Sequence, residues 1–181
     1  MRVTLRDARR ADAQAIAALH HASWHAQLST CLPPAVVEAH TLDARRAEWH
    51  VVLADLRVEG AVVRLAENDT GALVGFAHAG PARDCPTDVV VAGELYRLYI
   101  QPGVQGMGAG TALLRDMARA LAHHGAGRML VRCWAVNPAC SFYERRGAVR
   151  IGLASKSVNG HILEEALYAF ELASGRAPER F

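Results

Sequence analysis

Residues 100–111 read Ile100-Gln101-Pro102-Gly103-Val104-Gln105-Gly106-Met107-Gly108-Ala109-Gly110-Thr111. The apolar run at 95–100 that leads into them reads as a strand. After them, Thr111, Leu114, Met117, Ala118, Leu121 and Ala122 recur at three- and four-residue steps, with Arg115, Asp116 and Arg119 turned away. A glycine-rich turn therefore joins a strand to a helix. Glycines let backbone amides approach a ligand closely, and the first helical turn has unpaired N–H groups at the positive end of the dipole. That combination suits a phosphate. No lysine or arginine lies between Gln101 and Leu114, so binding is expected to rest on backbone amides. A mononucleotide P-loop is excluded, because Thr111 follows Gly110 with no lysine between them. A dinucleotide fingerprint wants an acid at the end of the next strand. That strand, at 129–135, has Arg132 within it and Arg128 before it, and carries no acid.

The chain has 181 residues, of which 51% are apolar, so it suits one domain with a real core and not disorder. A net charge of +2 implies neither nucleic-acid binding nor an acidic-substrate funnel. Cys31, Cys85, Cys133 and Cys140 form no Cys-x-x-Cys pair and read as reduced thiols of a cytoplasmic protein. Arg2, Arg6, Asp7, Arg9 and Arg10 crowd the N-terminus with no apolar core after them, unlike a signal peptide. No apolar run reaches the roughly 18 residues of a membrane helix.

In chain order, residues 3–6 alternate as a first strand. A helical stripe follows from about residue 11, through Ala15, Ile16, Leu19, Ala22 and Trp24. Pro33-Pro34 opens a second helix, and a third runs over 42–56 with Trp49, Val52, Leu53 and Leu56 on one face. Strands at 61–66 and 73–79 flank the turn Asn68-Asp69-Thr70-Gly71. Residues 81–88 read as a loop and 94–100 as the central strand. Past the glycine turn and its helix come a strand at 129–135, a helix from Asn137 to Arg146 capped by Gly147, and strands at 149–153 and 162–172. This order predicts an α/β fold: a mixed sheet with helices on both faces, one domain over 1–181, and a flexible tail at 174–181.

Two segments carry a resemblance. Gln105, Gly108 and Gly110 fit Gln-x-x-Gly-x-Gly, and Asn137-Pro138-Ala139-Cys140-Ser141-Phe142-Tyr143-Glu144-Arg145-Arg146-Gly147 fits a pattern of Asn, Ala, Phe-Tyr-Glu and Gly. Both resemble the GCN5-related N-acetyltransferase (GNAT) superfamily, and the likeness covers nearly the whole chain. It implies acetyl-CoA as co-substrate, with the pyrophosphate on Gln105, Gly106, Met107, Gly108, Ala109, Gly110 and Thr111. It implies a β-bulge in the central strand whose amides, at Leu98, Tyr99 and Ile100, serve the pantetheine arm and the thioester oxygen. The residues agree, since Leu95 and Leu98 break alternation and Leu98 and Ile100 restore it. It further implies that Tyr143 donates a proton to the leaving thiolate and that Asn137 bonds the pantetheine arm. Asn137 and Tyr143 are six apart where the family has seven, which puts the Asn137 contact in question. Ala148 replaces the usual aromatic.

Acetyl transfer to an amine also needs a proton acceptor, because an alkyl ammonium has a pKa near 10.4. Glu94, at the head of the central strand, fits that role directly or through water; a strand-end ion pair is the alternative, and Glu67 is a weaker second base. Trp24, His25 and Trp49 lie on helices that roof the acceptor cleft in this fold, and either shape the pocket or pack the core. His20, His21 and His25 tempt a metal reading, since His21 and His25 are four apart on a helix, but no Glu sits between them as in His-Glu-x-x-His and no third ligand is evident, so no metal is expected. The expected activity is direct transfer of acetyl from acetyl-CoA to a primary amine. A small-molecule amine is the first choice and a protein N-terminus or lysine the second. A non-catalytic acetyl-CoA sensor is the alternative of another class. No nucleic acid or membrane partner is expected; a homodimer is compatible.

Overall fold

A computed structural model describes residues 2–54, 60–83 and 92–172. Seven strands form one sheet in the order β1-β2-β3-β4-β5-β7-β6. They are β1 (Thr4–Asp7), β2 (Val62–Glu67), β3 (Leu73–Pro81), β4 (Ala92–Ile100), β5 (Arg128–Trp134), β6 (Val149–Val158) and β7 (His161–Glu171). The helices are α1 (Ala13–Leu28), α2 (Pro34–Glu38), α3 (Leu42–Ala54), α4 (Ala109–His123) and α5 (Ala139–Glu144). The expected mixed α/β sheet is thus present. Leu56, Cys85, most of the loop expected at 81–88 and the tail expected at 174–181 lie outside the described residues.

The helices divide the core into two layers. Leu113, Leu114, Met117, Ala118 and Leu121 of α4 pack on one face of the sheet with Ala77, Leu95 and Met129. Ile16, Ala17, Leu19, Trp49 and Leu53 of α1 and α3 pack on the other with Val63, Leu65 and Phe76. Phe76 and Ala77 are neighbours in β3 and go to opposite layers, as the pleat requires. The α4 stripe is near the one expected, with Leu113 buried in place of Thr111. In α1 the stripe is corrected. Ala15 and Ala22 are exposed, and His20 and Ser23 are buried instead. A helix repeats every 3.6 residues, so 16, 20, 23 and 24 share a face whatever their polarity.

β6 and β7 form a long hairpin turned by Asn159 (φ 48°) and Gly160 (φ 78°). This extends β6 well beyond the expected 149–153. Asn159-Gly160 is the Asn-Gly hairpin signal, and it carries β6 on to Val158.

One feature of the sheet positions the site. β4 and β5 are parallel and pair only over Ala92–Leu95 with Arg128–Val131, ending at Leu95↔Val131. β3 then pairs His78 with Arg97 but Ala79 with Leu95, so Tyr96 is the extra residue of a bulge. The expected break between Leu95 and Leu98 is therefore present. Beyond it β4 follows β3 while β5 follows β7 to Trp134. The two parallel strands part, and among the described residues no strand lies beside the β5-facing edge of β4 from Tyr96 to Ile100.

Candidate active site

Two cavities open where β4 and β5 part. The first, about 390 Å³, is lined by Val104, Gln105, Gly106, Gly108, Ala109, Gly110 and Thr111 together with Ile100, Phe142, Arg145 and Arg146. The second, about 270 Å³, lies under α1 and is lined by residues that include His20, Trp24, His40, Arg45, Tyr99, Arg132 and Cys133. Gln27, Leu98, Ala139 and Tyr143 line both. The cavities thus meet at the splay.

The first cavity is built by local backbone geometry. Gly106 and Gly108 have φ of 79° and 92°, the left-handed region, and a Cβ on either would meet nothing within 4 Å. Gly108 caps α4, and the first amide bonded within the helix is Ala112, to the Gly108 carbonyl at 3.0 Å. The N–H groups of Ala109, Gly110 and Thr111 are left for a ligand. Gly110 is helical and serves differently: a Cβ there would press on the Phe142 ring at 3.3 Å. Met107 is exposed, and the Gln105 side chain folds back to the Ile100 carbonyl at 3.5 Å. The amides are joined at this end of the cavity by a charged side chain. Arg146 Nε and Nη2 donate to Thr111 Oγ1 at 2.9 and 2.7 Å, with the guanidinium 3.9 Å from the Phe142 centroid. A cation from the turn after α5 therefore stands against the α4 N-terminus. The charge was visible in the sequence, but its approach to Thr111 spans 35 residues and was not. An open, amide-lined cradle flanked by Arg145 and Arg146 fits the pyrophosphate of acetyl-CoA.

Tyr143 sits at the junction, buried with 6% exposure. Among the described residues nothing hydrogen-bonds its hydroxyl, and burial raises its pKa well above the ordinary phenol value. It stays protonated at neutral pH and is available as a donor. Asn137 does something the sequence reading did not foresee. Its Oδ1 accepts from the Ala139 amide at 2.9 Å and from Gln27 Nε2 at 2.9 Å. It caps α5, which begins later than expected, and it fixes Gln27 at the mouth of both cavities. Gln27 was missed, having no sequence signal.

Glu94 has no exposed surface. Its Oε2 accepts from the Arg83 backbone N–H at 2.9 Å, its Oε1 from Arg83 Nη2 at 2.8 Å, and Arg132 Nε lies 3.7 Å away. Glu67 is bound to Arg6 at the β1–β2 edge, far from a base role in the cleft. Trp24 lines the second cavity. Trp49 is fully buried behind it and donates its indole N–H to His20 Nδ1 at 3.1 Å. His25 meets His21 edge to face, ring centroids 4.3 Å apart. Among the described residues no cluster of three or more His, Cys, Asp or Glu could hold a metal.

Burial, then Arg45, drives His20 and His40 down to about 2 and about 4; burial, then Arg97, drives His78 down to about 3. All three are neutral in the folded protein. The unfolded chain titrates them near 6.5, so it binds more protons than the native state below that pH. Their contribution is intact above pH 6.5 and is lost as pH falls toward 4. The expected slope approaches roughly 1.4 kcal/mol per pH unit per histidine. Urea titrations at pH 7 and pH 5 should show a drop of several kcal/mol; equal stabilities would contradict the neutral assignment.

A mixed sheet that parts beside a glycine-capped helix, with a tyrosine at the junction of two cavities, defines an acyl-CoA-dependent N-acyltransferase. The chain matches the Acetyltransferase (GNAT) family over residues 16–148 and belongs to that family. It is an acetyl-CoA-dependent N-acetyltransferase. It is 29% identical over 163 residues to the uncharacterized N-acetyltransferase YuaI of Bacillus subtilis (strain 168), covering 90% of each chain. Among solved structures it is similar to a phosphinothricin acetyltransferase of Sinorhizobium meliloti in complex with AcCoA. That likeness has TM-score 0.75 and 24% identity, covering 100% of this chain and 94% of that one. It is also similar to PaiA N-acetyltransferase of Thermoplasma acidophilum in complex with coenzyme A, with TM-score 0.69 and 16% identity, covering 94% and 99%. No helix among the described residues is long and apolar enough to cross a membrane.

Proposed function

We propose that the enzyme transfers acetyl directly from acetyl-CoA to a small-molecule primary amine, both bound at once. The carrying observation is that Gln27, Leu98, Ala139 and Tyr143 line both cavities. An amine in one reaches a thioester in the other without a relay. The only thiol lining the acceptor cavity among the described residues is Cys133. Its hydrogen bond with the Cys140 thiol, and burial, hold that thiol well above the usual range, so it is no nucleophile. A volume near 270 Å³ beneath Trp24 and Leu28 suits one small molecule better than a peptide.

Acetyl-CoA supplies the activated acyl group. The amides of Leu98, Tyr99 and Ile100 lie on the strand that parts from β5, and those on its open edge can donate to the thioester oxygen. Tyr143 protonates or hydrogen-bonds the departing sulfur. Glu94 is the proposed base, but it has no exposed surface and lines neither cavity, so the amine proton reaches it only by relay and not by direct contact. An initial-rate study with a panel of small amines and of peptides, detecting thiol release, tests this reading. Intersecting patterns with small amines are expected; parallel patterns or peptide-only turnover would overturn it. No turnover with any acceptor would favour the sensor reading. Glu94→Gln should lower the neutral-pH rate about tenfold or more, with recovery at high pH where the amine is already neutral. A wild-type profile would leave Glu94 only its ion pair with Arg83.

A further inference from the structure

Gln27 stands at the junction of the two cavities with its side-chain amide held one way round. Asn137 Oδ1 accepts from the Ala139 backbone N–H at 2.9 Å, so that atom of Asn137 is the oxygen and not the amide nitrogen. The Gln27 atom 2.9 Å from it must then be a donor, which makes it Nε2. The carbonyl oxygen Oε1 is the end left over. It makes no hydrogen bond among the described residues, yet it keeps accessible surface. The bond to Asn137 ties α1 to the turn before α5 across 110 residues, so this free oxygen sits on a fixed amide.

The polar groups at the junction are few and complementary. Of the four residues that line both cavities, Leu98 and Ala139 have apolar side chains. Tyr143 offers a hydroxyl that burial keeps protonated, and it serves the departing sulfur. Gln27 supplies the one side-chain carbonyl. Glu94 lines neither cavity, and Glu165, the one carboxylate lining the acceptor cavity among the described residues, is taken by Lys156 at 2.7 Å. An amine entering the junction brings N–H donors out of water, and each needs an acceptor there. Its nitrogen gains positive charge as it adds to the thioester carbon, so a hydrogen bond to a carbonyl oxygen strengthens on the way to the transition state.

We infer that Gln27 Oε1 accepts an N–H of the attacking amine and turns its lone pair toward the thioester carbon, so that the enzyme selects primary over secondary amines. This rests on the transferase reading above. The nitrogen lone pair forms the C–N bond, the C–S bond breaks, and the sulfur leaves as the thiol with the Tyr143 proton. A primary amine has two N–H bonds. One proton is lost by relay to Glu94, and solvent returns a proton to Tyr143 between turnovers. The other stays on the product amide, and that is the one Gln27 holds. A secondary amine has only the proton that must leave, so Gln27 cannot hold it through the step.

The test uses pairs of a primary amine and its N-methyl derivative, benzylamine and N-methylbenzylamine among them, drawn from the small amines that wild type acetylates. Wild type, Gln27→Leu and Gln27→Met are compared in kcat and KM, with acetyl-CoA affinity by calorimetry and melting temperature alongside. Wild type should favour the primary member of each pair in kcat/KM by about tenfold or more. Both variants should lower kcat for the primary amine by about tenfold, with a smaller effect on KM, and should shrink the preference several-fold. Acetyl-CoA Kd should stay within about twofold. Equal use of both members by wild type would overturn the inference. So would a preference unchanged in the variants, which would leave Gln27 only its tie to Asn137. A Kd raised tenfold with the preference intact would give Oε1 to an N–H of the pantetheine arm, and would also overturn it. In each of these cases the transferase reading stands. Peptide-only turnover, or none, would overturn that reading and this inference together. A variant that fails to fold is set aside for the other, and if both fail the wild-type comparison decides.

Discussion

Gly108→Asp is expected to abolish acetyl-CoA binding, raising Kd by a hundredfold or more. Gly108 holds φ 92° at the start of α4, where the helix presents its unpaired amides. A Cβ there meets nothing within 4 Å in the free protein, so the variant has room to fold. The new carboxylate would instead occupy the cradle. A unit charge about 4 Å from a phosphate costs on the order of 4 kcal/mol near a protein surface. Left-handed backbone at a non-glycine residue adds about 1–2 kcal/mol against the fold. Gly108→Ala separates the two: it carries the backbone cost alone and should lose far less affinity. Calorimetry on folded Gly108→Asp showing wild-type affinity would remove the pyrophosphate from this loop.

Tyr143→Phe is expected to keep acetyl-CoA affinity within about twofold and to lower kcat by about a hundredfold, the scale of one acid–base group. The ring should stay in place, since its contacts with Phe142 and Tyr168, at centroid distances of 5.2 and 6.4 Å, need no hydroxyl. Because burial keeps this phenol protonated well above its ordinary range, the loss should be uniform across neutral and mildly alkaline pH. The sign follows directly: raising pH toward 9 removes no proton from Tyr143, so it cannot mimic the variant. A kcat equal to wild type would show that the thiolate leaves unaided.

The glycine loop and its helix were legible because their causes are local. Gly106 and Gly108 are glycines for a backbone reason that adjacent residues settle, and the apolar stripe of α4 follows from its own period. The central bulge was legible too, since one extra residue reverses the face of every side chain after it. Asn137 shows where such reading stops. Its spacing to Tyr143 flagged an irregularity, but only the fold revealed a side chain spent on capping Ala139 and holding Gln27. α1 shows the same limit from the other side. His20 and Ser23 are buried because Trp49 and the Ile100 carbonyl, 29 and 77 residues away, satisfy them, and polarity in the sequence pointed outward.

By itself, then, the sequence determined the elements, their order, the amide cradle and the tyrosine, all of which depend on neighbours within a few residues. Only the tertiary structure decided what those parts face. It brought Arg146 onto Thr111 and Trp24 against Arg45, and it placed Glu94 under Arg83. It also parted β4 from β5 at Leu95↔Val131, so that two cavities meet at Tyr143. The physical reason is that charge pairing, burial and cavity shape are properties of groups far apart in the chain. No local pattern of side chains specifies which of them the folded sheet will set side by side.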